Sequence, residues 1–237
     1  MKSISFSLIL FFSSLFSQSS LGGLPHSFNN EMDSNAGLIQ TGLVDRETML
    51  LEDELRPPNT PYRYGYVFEE NYNFFDHAVK TVLDDGNEVW RLDIKSRGAE
   101  AISLEFIPFY LSDDALLYFY NEDLSVVLGA YSSLNNNEDN VFSIPLLRGE
   151  MVHMELIIPE DSQDANNIVI DEIIHDYRDV LNLWENYESE RNCGVNVNCS
   201  SANNYQDPVN AAAFLDMGGY ICSCLLYTSP SPRDDEL

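Results

Sequence analysis

Apolar side chains recur at every second position in a series of short segments between residues 62 and 177. A two-residue period places successive side chains on opposite faces of an extended chain, so each segment is predicted to be a β-strand. The segments are residues 90–94, 102–106, 116–120, 125–131, 141–146, 151–158 and 168–177. Polar turns separate these segments, among them residues 84–87, 135–137 and 148–149. Short strands at regular spacing predict an all-β fold, with an antiparallel β-sandwich over residues 62–180.

The charge of the chain limits its partners. Of 237 residues, 39 are acidic and 12 are basic, which gives a formal net charge of −27. Nucleic acids and anionic membranes attract Lys and Arg and repel carboxylates, so we expect neither as a partner. Acidic turns at residues 113–114, 137–139 and 161–164 leave a calcium site open as an alternative, but solvated turns are favoured because the acidic spacing of a dedicated loop is missing. We predict no cofactor.

The four histidines do not indicate a catalytic or metal site. His26, His77, His153 and His175 are scattered, with no His-x-x-x-His or Glu-x-x-His spacing. His153 shares the polar face of residues 151–158 with Glu155, and His175 ends a predicted strand. Each histidine is interpreted as structural or solvated. The sequence also has no glycine-rich phosphate loop and no Gly-x-Ser-x-Gly elbow, so no catalytic constellation is predicted in this chain.

The N-terminus predicts export. Residues 1–17 carry one lysine followed by an apolar run, the pattern of a secretory signal peptide, and the run is shorter than the ~20 residues of a membrane-spanning helix. We therefore expect a secreted, extracellular protein cleaved near residue 17, with residues 19 and 20 as alternatives. Residues 18–61 are predicted to be an irregular segment, with a short acidic helix at residues 46–55 and a stiff proline-rich linker at residues 57–61.

All cysteines lie near the C-terminus, at Cys193, Cys199, Cys222 and Cys224. Export permits disulfides, and a zinc site is the alternative, although the spacing fits no common zinc motif. Residues 224–234 match a translated sequencing adapter, so residues 224–237 are predicted to be an artefact; a natural linker rich in serine and proline is the alternative. The final Asp-Asp-Glu-Leu, which mimics an ER-retention signal, is set aside for the same reason.

Residues 193–223 resemble the start of a known enzyme family. A Cys-x5-Cys pair, an apolar run at 211–217, Gly218-Gly219 and then Tyr-Ile-Cys-Ser at 220–223 follow in order. This order resembles the opening of secreted bacterial trypsin-like serine endopeptidases, above all the lysyl endopeptidase family; another secreted disulfide domain is the alternative. The resemblance implies the first strands of an incomplete trypsin-like double β-barrel. It also implies that Cys193, Cys199 and Cys222 pair with cysteines beyond residue 223. The catalytic His, Asp and Ser would lie there too, so no residue of this chain is predicted to be catalytic.

The upstream region resembles a module found ahead of such protease domains. The matching pieces are residues 62–65, 89–94, 98–99, 116–120, 147–150 and 175–178, and Gly-Gly-Leu-Pro at 22–25 is similar to secreted protease precursors of Bacteroidetes. The resemblance implies that residues 62–180 assist folding of the protease or keep it inactive, with processing in the linker 181–192. The partners would be the missing protease domain and, for the complete enzyme, a polypeptide substrate cleaved after Lys or Arg by analogy.

The competing hypothesis is a binding or adhesion module. In that case the β-sandwich would present exposed aromatic side chains, such as Tyr118 or Tyr120, to a glycan or a protein.

Overall fold

The computed structural model describes residues 18–30, 32, 35–162, 165–182 and 212–225. The predicted signal peptide, Cys193, Cys199 and the processing linker from residue 183 onward lie outside the described residues, as do residues 226–237. Within the described part, the chain is all-β, as predicted: two sheets pack face to face as a sandwich, and a third, small sheet lies beside them. None of the helices in this part is long and apolar enough to cross a membrane.

The first sheet has six strands: β1 (Gly37–Gln40), β4 (Val79–Val82), β5 (Glu88–Lys95), β7 (Leu116–Asn121), β8 (Val127–Tyr131) and β11 (Met151–Ile158). Their order across the sheet is β1-β5-β11-β7-β8, and β4 also pairs with β5. All pairs are antiparallel except β1 with β5. Strands β1 and β4 therefore share one edge of β5, β1 beside its C-terminal half and β4 beside its N-terminal half.

The second sheet has five antiparallel strands: β3 (Gly65–Asn73), β6 (Ala101–Tyr110), β9 (Phe142–Ser143), β10 (Leu147–Arg148) and β12 (Asn167–Asp176). Their order across the sheet is β10-β6-β12-β3, and β9 also pairs with β6. The pairing of β12 shifts register near Ile170, so one stretch of this sheet carries bulges.

One hydrophobic core fills the space between the two sheets. It takes every second side chain of the central strands, including Leu92 and Ile94 of β5 and Val152, Met154 and Leu156 of β11, all at most 1% exposed. At one end, the rings of Phe109 and Phe142 stack with centroids 4.3 Å apart. Because burial of such side chains is the main favourable term in folding, the period-two pattern is what commits the chain to a sandwich.

Several sequence predictions are confirmed in detail. Strand β11 spans residues 151–158 as predicted, and the acidic helix is observed as α1 (Arg46–Glu54), where the Asp45 side chain accepts hydrogen bonds from the first-turn amides of Glu47 and Thr48. The predicted strand 141–146 is wrong in extent: the strand is Phe142–Ser143, followed by one further main-chain bond from the Ile144 amide to the Leu104 carbonyl of β6 at 3.0 Å. Pro145 lacks the amide that a longer ladder would need.

The segment before residue 62 is predicted to be irregular, and the structure corrects this in one respect: Gly37–Gln40 forms strand β1, which pairs with β5. The described residues from 18 to 45 (18–30, 32 and 35–45), which we call the strap, pack on the sandwich. The Leu21 amide donates to the Ala130 carbonyl at 2.9 Å, and the Ala130 amide donates to the Gly22 carbonyl at 3.0 Å. The strap therefore pairs with the outer edge of β8. It then forms a 3-10 turn at His26–Phe28 and reaches the opposite edge of the sheet as β1. The strap thus crosses the outer face of the first sheet.

The third sheet joins the C-terminal part to the sandwich. Strands β13 (Ala212–Asp216) and β14 (Tyr220–Leu225) form a hairpin, and β14 also pairs with β2 (Tyr62–Arg63). Other helical elements of the described residues include the short α2 (Phe74–His77) and a second 3-10 turn, Ser133–Asn135.

Candidate functional site

The β13–β14 hairpin is held at a joint with the sandwich, which we call the hairpin joint. The amides of Tyr64 and Gly65 both donate to the Gly219 carbonyl, at 2.9 and 3.0 Å. The Tyr64 hydroxyl donates to the two carboxylate oxygens of Asp216, at 2.8 and 3.0 Å. Tyr64 is fully buried and packs with Ile174, and Ile221 of the hairpin packs against the same small cluster. Main-chain and side-chain contacts therefore fix the hairpin in one position.

Glycine at position 219 is required by this geometry. The residue has φ +77°, and a Cβ there would lie 3.0 Å from the carbonyl oxygen of Gly65. Glycine adopts that backbone without strain and allows the close approach of the two chains. The Gly218-Gly219 pair that carried the family resemblance therefore forms the turn that meets the sandwich.

The Asp216 carboxylate at this joint has a shifted pKa. Burial raises the pKa of Asp216, although the Tyr64 hydroxyl and the Gly218 amide favour its ionised form. Burial, followed by the nearby Asp216 charge, raises the pKa of Tyr64. Both shifts follow from taking polar groups out of water to make the contact.

A cluster of charges behind β2 holds that strand in place. Asp53 of α1 accepts hydrogen bonds from Arg63 Nε at 2.7 Å, the Tyr177 hydroxyl at 2.8 Å and Arg178 Nη2 at 2.5 Å. Burial opposes ionisation of Asp53, but the hydrogen bonds from Arg178, Tyr177 and Arg63 lower its pKa overall. The Arg178 guanidinium also lies 4.9 Å from the ring centre of Tyr62. Helix α1, β2 and the chain after β12 are thereby joined.

A row of carboxylates lies beside the hairpin on the outer face of the second sheet. Glu172 on β12 is directly opposite Glu69 on β3 and Glu105 on β6. Burial and then the neighbouring carboxylates raise the pKa of Glu172. No group of three His, Cys, Asp or Glu side chains in the described residues is arranged to hold a metal ion. Repulsion among these neighbouring carboxylates opposes the pairing of the strands at this point.

His175 and Asp176 are buried together at the end of β12. The Ser96 hydroxyl lies 2.7 Å from His175 Nδ1 and 2.7 Å from the Thr41 hydroxyl of the strap. Asp176 accepts the amides of Arg178 at 2.8 Å and Val180 at 2.9 Å. Burial lowers the pKa of His175 to about 4 and raises the pKa of Asp176 to about 6. Ser96 and His175 are at most 1% exposed, so a substrate in solution does not reach this Ser–His contact.

A polar cleft of about 640 Å³ lies between the strap and the outer face of the first sheet. In it, His153 Nδ1 is 2.6 Å from Asp93 Oδ1, and the His153 ring stacks on Tyr120 with centroids 5.0 Å apart. Asp93 fixes the orientation of the imidazole, as in a general base. Among the described residues, no hydroxyl is hydrogen-bonded to His153.

The aromatic residues of the adhesion hypothesis are not exposed. Tyr118 is 4% exposed and Tyr120 is 8% exposed, because the strap covers them. Phe28 packs edge-on against Tyr120, with centroids 5.0 Å apart. Glu155, expected on a solvent-facing side, is also fully buried and accepts the Ser27 amide at 3.2 Å. The expectation of an aromatic binding face at these residues is wrong.

Of the three predicted disulfide cysteines, the structure describes one. Cys222 lies in β14 opposite Leu215 and is exposed. Its pairing with a cysteine beyond residue 223 stays a prediction. Cys224 belongs to the same strand. The acidic turns at residues 113–114 and 137–139 are surface loops, while Asp164 lies outside the described residues.

The joint residues were not predicted from the sequence, although a signal was present. Tyr64, Arg63 and Arg178 lie in two pieces of the upstream resemblance, residues 62–65 and 175–178. The Arg63 and Arg178 side chains meet only because β2 and the end of β12 converge on Asp53 of α1.

Comparisons with known proteins add little. No protein-family model matches the chain, and no curated protein matches it. Among solved structures, it is similar to an exo-β-1,3-galactanase from Phanerochaete chrysosporium in complex with β-1,3-galactotriose. The identity is 16%, the match covers 48% of this chain and 28% of that chain, and the TM-score is 0.20. The chain thus spans less than a third of that protein, and the score is too low to bear on fold or function.

Proposed function

We propose that residues 62–180, together with the strap, form the pro-module of a secreted trypsin-like serine endopeptidase precursor. The module supports folding of the first protease strands and holds them until the linker is cut. The observation that carries the proposal is the hairpin joint: the segment that resembles the protease opening, residues 212–223, is paired with β2 of the upstream module.

The physical case rests on what an isolated hairpin lacks. A two-stranded hairpin is marginally stable in water, and a third strand with an apolar contact is needed to stabilise it. The module supplies both, as β2 and as the buried cluster of Tyr64 and Ile174. It also supplies donors for the Gly219 carbonyl, so the turn is held before the rest of a protease barrel could form.

The direct test begins with the genomic locus. A contiguous read beyond Ser223 should continue with an apolar strand and a Thr-Ala-x-His-Cys-like motif. N-terminal sequencing of the secreted enzyme should then find a new terminus between residues 183 and 193. A read without that motif would refute the protease assignment, and a mature enzyme that retains residues 62–178 covalently would refute the pro-module role.

The folding role has its own test in the full-length precursor. Tyr64→Phe removes the hydroxyl that donates to the Asp216 carboxylate, a loss of about 1 kcal/mol. The yield of active, secreted endopeptidase should fall several-fold. Tyr66→Phe is the matched control, since Tyr66 is 40% exposed and only two residues away along the chain. Equal yields for the two variants would contradict a folding role for the joint.

A further inference from the structure

A second cleft, which we call the end cleft, lies where the chain crosses from the first sheet to the second. It has a volume of about 760 Å³ and is lined by residues 134–143 together with Tyr110 and Gln18. Ligand sites in proteins commonly have volumes of roughly 300–1,000 Å³. None of the residues that line the end cleft belongs to the hairpin joint. The proposed pro-module role gives the end cleft no function.

The end cleft has apolar side chains that solvent reaches. Tyr110, at the end of β6, is 39% exposed, and Leu134 is 66% exposed. Phe142 beside them is buried and stacks on Phe109, so the base of the cleft is anchored in the core. An anchored base with an accessible tyrosine offers a fixed surface for the apolar face of a ligand.

The wall of the end cleft is held rigid by asparagine side chains. Asn136 accepts the Leu111 amide at 2.9 Å and donates to the Leu111 carbonyl at 2.8 Å. Asn137 donates to the Val141 carbonyl at 2.7 Å and accepts the Val141 amide at 3.2 Å. A loop braced in this way loses little conformational entropy when a ligand binds.

The polar groups of the end cleft define the chemistry of a ligand. Glu138 and Asp139 are exposed acceptors, and no Lys, Arg or His is among the described lining residues. Asn135 is 7% exposed; its Oδ1 accepts the Ser132 amide, but its buried Nδ2 has no hydrogen-bond partner in the described part of the chain. A buried donor without a partner is costly and calls for an acceptor. The two carboxylates disfavour an anionic ligand.

We propose that the end cleft binds a neutral saccharide. Sugar hydroxyls both donate and accept, so they can satisfy the carboxylates of Glu138 and Asp139 and supply an acceptor to the asparagine-lined wall. The apolar C–H face of a pyranose ring packs against Tyr110. A lysine ammonium group would satisfy the carboxylates alone, because it carries no acceptor for the amide donor.

The test uses the full secreted chain. We would measure its binding to immobilised neutral hexasaccharides of glucose, xylose, mannose and galactose, to sulfated counterparts and to an oligolysine peptide. Binding to at least one neutral saccharide is expected, with weak or no binding to the sulfated series. Binding to oligolysine alone, or to no neutral saccharide at millimolar concentration, would overturn the proposal.

Variants locate the binding in the end cleft. Tyr110→Ala should weaken affinity about tenfold, whereas Tyr66→Ala, at a tyrosine of nearly equal exposure on β3, should stay within about twofold of the wild type. Glu138→Gln and Asp139→Asn change exposed loop residues and should each weaken binding without lowering the melting temperature. If Tyr110→Ala lowers that temperature, these two variants decide the matter. Affinities unchanged in both would refute the assignment.

Discussion

His175 and Asp176 are expected to oppose each other in the pH dependence of stability. Burial lowers the pKa of His175 from 6.5 to about 4. The folded state therefore binds fewer protons than the unfolded state between those pH values, so acidification through this window favours unfolding. A shift of that size corresponds to about 3 kcal/mol lost between pH 6.5 and 4.

Asp176 acts in the opposite direction. Burial raises its pKa from 3.8 to about 6, so the folded state binds more protons in that window and gains stability as the pH falls. The gain is again about 3 kcal/mol. The two contributions nearly cancel in the wild type, and each becomes visible only when the other group is removed.

The assay is urea unfolding followed by tryptophan fluorescence at several pH values from 7 to 4. His175→Asn keeps a hydrogen-bonding group near Ser96 and should gain stability relative to the wild type on acidification, by up to about 3 kcal/mol. Asp176→Asn should lose a similar amount over the same range. His77→Asn, at an exposed histidine, is the control and should follow the wild type. Parallel pH profiles for all variants would refute the reasoning.

Three further variants test the joint, the strap and the carboxylate row. Gly219→Ala should destabilise the chain by about 2 kcal/mol more than Gly98→Ala, as measured by urea unfolding. Both glycines have a positive φ, but of the two only a Cβ at residue 219 would contact main-chain atoms, those of Gly65. Gly37→Ala should release β1, since its Cβ would overlap the last carbonyl of α2; faster amide exchange in residues 37–40 would show this, whereas Gly42→Ala should leave exchange unchanged. Glu172→Gln should raise stability at pH 7 by up to about 1 kcal/mol by relieving repulsion across the sheet, and this gain should disappear as the pH falls through the raised pKa of Glu172. A gain that persists at low pH would contradict this explanation.

Much of the sandwich could be predicted because its signal is local. The alternation in residues 151–158 marks β11 with its correct ends, and the capping residue Asp45 marks the start of α1. A strand pattern shows which face is apolar, but it does not show what covers the polar face. His153 and Glu155 were therefore placed toward solvent, although the strap lies over them.

The sequence by itself determined the all-β class, the positions of most strands and the apolar face of each, because the two-residue period is a property of neighbouring residues. Only the tertiary structure decided how the strands are partnered. The parallel pairing of β1 with β5 and the meeting of Asp53 with Arg178 join residues far apart along the chain. So does the contact of Tyr64 with Asp216. Such contacts depend on the register and packing of the whole sandwich, which no local pattern records.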